Sequence, residues 1–334
     1  MINSGSSANL LMVFMLKQKF GLNNGDEIIV PAVTWPTTIY PIIQNNLTPV
    51  FCDVDNSFNL DINSIKRMIS DKTKAIFLVH LLGQPANLRE IMQLCKEHNL
   101  ILIEDCCESM GAKFNGINVG NFGKMGSFSL YFGHHMTTIE GGLIVTNDVE
   151  LYDLLKSARS HGWVRGSNRQ ELYAQWDNKD FLFDMLGYNF RSTNLNAAIG
   201  LVQLEKLDMF INIRLENHNY FLKRISEFGW KHQKVNFNET SSFSLALLFS
   251  NKSKRDFVLR NLILKGVESR LIVAGNLLKQ PVFNNKNIKA DKTSFADVIN
   301  DCGIYLPNNQ FMTIEKVDYM VDTIKSILSD YGLK

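Results

Sequence analysis

The sequence predicts an α/β fold: a large, mostly parallel β-sheet sandwiched by helices, followed by a small C-terminal α+β domain. Three observations lead there. Strand-like apolar runs at 27–31, 49–54, 75–80 and 101–105 alternate with helical segments, the pattern of parallel strands joined by helical crossovers. The run Ile101-Leu-Ile103 is apolar without alternation, as in a strand covered on both faces. A length of 334 residues suffices for one large core and a second, smaller one. A long helix running to about residue 228 links the two, and the division is placed at 1–212 and 213–334.

Composition narrows the function classes. A hydrophobic fraction of 45% with 20% charged residues is that of an ordinary globular protein. The net charge of +2, with no basic run of five or more, gives no argument for nucleic acid as a partner. No apolar run approaches the roughly 20 residues of a membrane span, and the first residues do not form a signal peptide. A cytoplasmic protein is therefore expected. Cys52, Cys95, Cys106, Cys107 and Cys302 are odd in number and lack C-x-x-C spacing. They imply reduced, mostly buried thiols, with no metal and no iron–sulfur cluster.

In chain order, Asn3-Ser-Gly-Ser-Ser-Ala-Asn9 leads into an apolar helix at 10–20 that stops at Gly21. Ser6 and Ser7 at its start fit either a phosphate site on the positive end of the helix or an ordinary serine cap. After the strand at 27–31, Thr34-Trp35-Pro36 enters a helix, with Trp35 open to either core packing or ligand stacking. Strands at 49–54 and 75–80 follow, then an amphipathic helix at 88–98 and the strand at 101–105. Asp105 stands at the carboxyl end of that last strand, where open α/β sheets bind ligands. A helix cap for residues 108–111 is its plainer alternative.

Between short strands at 127–131 and 143–146 lies Tyr-Phe-Gly-His134-His135-Met-Thr-Thr-Ile-Glu140-Gly-Gly. A loop so rich in unusual chemistry, held between buried strands, is where a scaffold tends to present catalytic groups. Beyond it come a helix at 151–159, His161, a loop at 164–183, Gly187-Tyr-Asn189-Phe-Arg191 and a helix at 193–207. Strands at 242–248 and 267–273 and a last helix at 313–328 belong to the small domain, with the run from Arg270 to Asn276 its notable phrase.

Five of these motifs, in order over essentially the whole chain, resemble the DegT/DnrJ/EryC1/StrS family of pyridoxal-phosphate-dependent sugar enzymes. They are Ser-Gly-Ser-Ser-Ala, Thr-Trp, Glu-Asp-x-x-Glu, Ser-x-x-x-x-His with Glu-Gly-Gly, and Gly-Tyr-Asn-Phe-Arg. The resemblance implies an aspartate-aminotransferase-like (fold type I) architecture, with 1–212 as the cofactor-binding domain. Family members carry several dozen further residues before the first motif, which implies an N-terminally shortened chain. By the same resemblance Ser6, Ser7 and Ser129 bind the cofactor phosphate, Trp35 stacks on its pyridine ring, and Asp105 pairs with the protonated ring nitrogen. Glu108 then lies near the phenolic oxygen, where most aminotransferases of the family have Gln. Asn189 reaches across a dimer interface to the partner's cofactor, so a homodimer is implied. The Arg270–Asn276 phrase recurs in members acting on 4-keto-6-deoxy sugars, making Arg270 and Asn276 candidate substrate-binding residues.

One replacement decides the chemistry. In the family, a Lys six residues before the Glu of Glu-Gly-Gly forms the Schiff base with the cofactor; here that position is His134. Imidazole cannot anchor the cofactor stably but titrates near neutrality and moves protons well. The replacement resembles the 3-dehydratase branch of the family. It implies non-covalent pyridoxal 5'-phosphate and pyridoxamine 5'-phosphate, a nucleotide-sugar substrate of the GDP-4-keto-6-deoxymannose type, and glutamate as amino donor. His134 is the expected base, His135 a neighbour that orients it or packs, Glu108 a second catalytic group and His161 a polar group near the substrate. Three alternatives stand beside this reading. They are a nucleotide-sugar aminotransferase, which the missing Lys disfavours, a CDP-sugar 3-dehydrase, whose iron–sulfur cluster these cysteines do not supply, and a non-catalytic cofactor-binding relative.

Overall fold

The computed structural model describes residues 1–284 and 288–332. Helix α1 (Gly5–Phe20) is capped by Ser4, whose hydroxyl accepts from the Ser7 N–H, and ends at Gly21 with φ 70°. It is apolar nearly all round because it is enclosed: Leu11, Met12, Val13, Met15 and Leu16 all lie in the main core. Strand β1 (Glu27–Pro31), α2 (Pro36–Gln44), β2 (Thr48–Cys52), α3 (Ile62–Met68), β3 (Thr73–Val79), α4 (Leu88–Glu97) and β4 (Ile101–Asp105) follow in alternation. A small hairpin of β5 (Lys113–Phe114) and β6 (Ile117–Asn118) precedes β7 (Met125–Ser129) and β8 (Gly142–Val145). Next come α5 (Val149–Ala158), α6 (Asn194–Leu204) and the long α7 (Leu207–Ser226). The remainder is β9 (Lys231–His232), β10 (Leu245–Leu248), α8 (Lys252–Leu264), β11 (Lys289–Ala290), α9 (Ser294–Cys302), β12 (Gly303–Leu306) and α10 (Ile314–Gly332).

The large sheet has the order β11-β2-β1-β3-β4-β7-β8, parallel throughout except that β8 runs antiparallel to β7. Ile2 and Gly142 exchange both backbone hydrogen bonds, at 2.9 and 2.8 Å, so the start of the chain is stitched to β8. The predicted α/β class is the observed one. A second, antiparallel sheet of order β12-β10-β9 packs with α7, α8 and α10 around Phe221, Leu245, Val258, Ile304 and Val321.

Two local expectations change. Residues 267–273 form no strand: only Arg270 bridges Tyr305, and Val273 turns to φ 44°, which ends the extended backbone there. The partner of β10 is instead β12. In addition, β11 leaves the small domain's part of the sequence and pairs with β2 in the large sheet, so the chain recrosses the division placed at 212/213. Among the described residues no helix is long and apolar enough to cross a membrane.

Candidate active site

Strands β1, β3, β4 and β7 end along one edge of the sheet, and a cleft of about 740 Å³ opens there against the small domain. Ligands of parallel α/β sheets bind at this edge.

The start of α1 faces the cleft. Ser4 takes the Ser7 N–H at 3.1 Å and the Ala8 N–H at 3.0 Å, which leaves the N–H groups of Gly5 and Ser6 with no acceptor among the described residues. Such a helix start favours an anion. A Cβ placed on Gly5 would lie 2.9 Å from both Cys107 Sγ and Ser129 Cβ, so only glycine lets the helix start sit this close to the end of β7. Ser6 and Ser129 line the cleft as expected. Ser7 does not: its N–H and hydroxyl are both engaged by Ser4, and Ser4 lines the cleft in its place.

Asp105 is buried at the tip of β4. Its Oδ2 accepts from Asn9 Nδ2 at 2.7 Å and Thr38 Oγ1 at 2.9 Å, and its Oδ1 from the Cys107 N–H at 3.1 Å. Among the described residues no Lys, Arg or His pairs with it, and a buried carboxylate without a cation calls for one from a ligand. Neighbouring Glu108 accepts from the Leu82 N–H at 3.0 Å. Burial first, and the Asp105 charge after it, outweigh that hydrogen bond and push the Glu108 carboxyl up to about 7. Trp35 is 56% exposed and lines the cleft; so large an exposed ring beside a cavity fits a stacking surface.

The two histidines part ways. His134 lines the cleft with its ring edge-on to Phe243 at 5.3 Å and to Tyr131 at 6.2 Å. Its Nδ1 is buried with no partner among the described residues. Burial, reinforced by the Arg214 charge, pushes this imidazole down to about 4, so it is neutral at pH 7 and able to accept a proton. His135 points away into the protein, where its Nε2 donates to the Ser241 carbonyl at 3.1 Å.

Arg214 escaped the sequence reading. It is 2% exposed. Its guanidinium donates to the carbonyls of Phe243 at 2.9 Å, of His134 at 3.5 Å and of Asn308, and no carboxylate pairs with it among the described residues. It therefore ties the histidine loop to the small domain and leaves uncompensated positive charge beside the cleft; burial lowers it to about 10. A signal existed: Phe210, Arg214, Asn217 and Phe221 recur at helical spacing on the buried face of α7.

Of the remaining candidates, Arg270 lines the cleft and pairs with Glu268 at 2.5 Å. Asn276 requires correction. Its Nδ2 donates to Thr293 Oγ1 at 3.0 Å and Asp297 Oδ1 at 2.8 Å, and its Oδ1 accepts from the Leu278 N–H at 3.1 Å. Every polar atom is spent on capping a turn and tying it to α9, so Asn276 is structural. His161 and Asn189 are both exposed and lie outside the cleft of their own chain. The reason is local: the Ser160–Asn189 bridge and the His161 N–H to Tyr188 carbonyl bond at 2.7 Å hold the 158–163 turn against the 187–191 phrase on the surface. No lysine lines the cleft among the described residues.

A second polar cluster lies behind the sheet. His80, Glu104 and Cys106 come close enough to share a cation. The Glu104 carboxylate, however, is already filled by His80 Nε2 at 3.1 Å and by the N–H groups of Gly120, Phe122 and Gly123 at 2.8, 2.8 and 2.7 Å. His80 Nδ1 in turn accepts from the Ala86 N–H at 3.1 Å. This is a structural knot beneath β4.

Comparison with known proteins gives the same placement. Residues 1–325 match the DegT/DnrJ/EryC1/StrS aminotransferase family. The chain is 39% identical to GDP-4-keto-6-deoxy-D-mannose 3-dehydratase of Escherichia coli O55:H7, over 97% of this chain and 87% of that protein. It is 37% identical to the protein of the same description from Yersinia pseudotuberculosis, over 97% and 86%. Among solved structures, a histidine-to-asparagine mutant of GDP-4-keto-6-deoxymannose-3-dehydratase with bound GDP-perosamine superposes with a TM-score of 0.91 at 38% identity, covering 97% of this chain and 87% of that one. The E. coli enzyme with bound hydrated PLP gives 0.89 at 38% identity, covering 97% and 86%. Motifs, sheet order, cleft and relatives agree, and the chain belongs to the DegT/DnrJ/EryC1/StrS aminotransferase family.

Proposed function

We propose that the protein is a coenzyme-B6-dependent 3-dehydratase that removes the C3 hydroxyl of a GDP-linked 4-keto-6-deoxymannose. The observation that carries this reading is His134: a neutral imidazole lines the cleft at the position of the family's anchoring lysine, and among the described residues no lysine side chain takes its place. Both relatives named above with whole-chain similarity are described as this dehydratase.

The cleft fits the cofactor. The unsatisfied start of α1, the close approach that Gly5 permits and the unpaired Asp105 match a phosphate at one end and a protonated ring nitrogen at the other. When bound, pyridoxamine phosphate supplies a nucleophilic amine and an electron-withdrawing ring. Ser6, Ser129 and the first N–H groups of α1 would hold the phosphate, Trp35 would cover a ring face, and Asp105 would keep the ring nitrogen protonated. His134 would take and return the proton at the reacting carbon. An anion entering the cleft offsets the Arg214 charge and raises the basicity of His134 toward its ordinary value. Glu108, pushed up to about 7, is partly protonated at neutral pH and acts as a proton donor in the same cleft. Asn189, exposed on its own chain, completes the partner's phosphate site in a cytoplasmic homodimer.

The balance of the reaction is that glutamate gives up two electrons and its amino nitrogen to become 2-oxoglutarate and ammonia. The sugar loses its C3 hydroxyl and gains hydrogen. Incubation with glutamate and GDP-4-keto-6-deoxymannose, followed by assay of ammonia and mass analysis of the sugar, tests it. A 3-deoxy product with ammonia is expected. Nitrogen retained on the sugar would mean transamination, and no product at all would mean a non-catalytic relative.

A further inference from the structure

The end of the small sheet that faces the cleft carries polar groups that none of the roles above uses. The pairing of Leu245 with Leu306 and the bridge of Arg270 with Tyr305 bring three segments to that end. Each contributes one side chain to the cleft wall: Ser244, Ser269 and Asn308. They are 2%, 7% and 4% exposed, and Ser244 Oγ, Ser269 Oγ and Asn308 Oδ1 have no hydrogen-bond partner among the described residues. Buried polar atoms are ordinarily satisfied, so three together in the wall of a ligand cleft point to a ligand.

The orientation of Asn308 says which chemistry fits. Its Nδ2 donates to the Arg214 carbonyl at 2.9 Å and to Ser242 Oγ at 2.9 Å. A carbonyl can only accept, so the amide cannot be flipped, and Oδ1 is left as an acceptor and nothing else. Ser242 is held in turn by His218 Nδ1 at 2.7 Å. A fixed acceptor asks for a donor. Carboxylates and diphosphates carry no proton to give at neutral pH, whereas a sugar hydroxyl does. Two serine hydroxyls, each able to donate or accept, complete a surface suited to a polyol.

We infer that Ser244, Ser269 and Asn308 form the subsite for the hexose hydroxyls of the nucleotide sugar, with Asn308 Oδ1 accepting from one of them. This rests on the nucleotide-sugar reading above. It separates the two substrates: the hexose contacts this corner, and the carboxylates of the amino donor bind elsewhere in the cleft.

The test uses the pyridoxal-phosphate-loaded protein, with GDP-mannose and GDP as probes in calorimetric titrations of wild type, Ser244→Ala, Ser269→Ala and Asn308→Ala. Among the described residues neither serine hydroxyl has a protein partner to lose, so both serine variants should melt no lower than wild type without ligand. Each should bind GDP-mannose about two- to tenfold more weakly while binding GDP as before. Asn308→Ala should show the same selective loss; if it fails to fold, the serine variants decide. Unchanged GDP-mannose affinity in the serine variants, an equal loss for GDP, or a KM rise confined to glutamate would each overturn the subsite. Turnover of GDP-4-keto-6-deoxymannose by wild type is measured in parallel. Turnover with unaffected variants rejects the subsite alone, whereas a wild type that neither turns over nor binds GDP-mannose rejects the functional reading and the subsite with it.

Discussion

Replacing Gly5 by Ala separates a phosphate cradle from a helix that merely begins nearby. Gly5 is not in the left-handed region, and alanine is the better helix former by about 0.8–1.0 kcal/mol, so in open space the change would stabilise. Here the new methyl lies 2.9 Å from Cys107 Sγ and 2.9 Å from Ser129 Cβ, both closer than such contacts allow. Overpacking of this kind costs about 1–3 kcal/mol, so the cofactor-free protein should lose roughly 0–2 kcal/mol and melt only a few degrees lower. Cofactor binding should suffer more, because the atoms that move are Ser129 and the helix start. Losing one charge-assisted hydrogen bond costs about 1.5–3 kcal/mol, or about 10- to 150-fold in affinity. Fluorescence titration with pyridoxal phosphate, set beside thermal melts without it, measures both effects. Gly332→Ala serves as control, since nothing lies within 4 Å of its added methyl. Equal affinity in Gly5→Ala and wild type would refute the placement of the phosphate.

Three further outcomes are expected. His134→Lys should acquire a visible absorbance band with pyridoxal phosphate and be trapped by borohydride at residue 134, while dehydration falls by about 10²–10⁴; retained dehydration, with collapse in His135→Ala instead, would mean the base is the other histidine. Asn189→Ala should weaken cofactor binding, and wild type should sediment as a dimer; an active monomer with unchanged affinity would remove the cross-subunit role. Acid should destabilise the fold: His134 and His218 sit near 4 and 3 instead of 6.5, so between those limits the unfolded chain binds more protons and stability falls as pH drops below about 6.5. Each adds a slope of about 1.4 kcal/mol per pH unit. Glu108, raised to about 7 from 4.5, acts oppositely, its contribution being complete below 4.5 and lost as pH rises through 7. Melts from pH 4.5 to 7.5 should therefore show the acid loss reduced in His218→Phe; an acid limb identical to wild type would discount that histidine.

The large sheet was legible because its strands are continuous apolar runs separated by helices, a local signal. The cleft wall was legible through short motifs whose residues stay at the strand ends that carry them, as with Asp105 on β4 and Ser129 on β7. Ser7 went astray because a serine run does not say which member caps; Ser4 took that role one turn earlier. Asn276 went astray because an amide beside a glycine looks the same whether it caps a turn or meets a ligand. What the sequence hid is non-local. Arg214, Asn9 and Thr38 act through partners far along the chain, and Ser244, Ser269 and Asn308 meet because β10 pairs with β12, a strand too short to announce itself, and Arg270 bridges Tyr305 on that strand.

The stitch between Ile2 and Gly142 has a consequence for how the protein matures. The helix start proposed to hold the phosphate is held by β8, the last strand of the large sheet to be synthesised apart from the two residues of β11. Contacts between such distant residues form slowly, since the intervening chain must be ordered first. The site therefore forms in one late event, when β8 docks on β7 and draws the segment from Ile2 into α1 in behind it. Recovery of cofactor affinity during refolding becomes a clock for completion of the sheet, and should lag the return of helical signal.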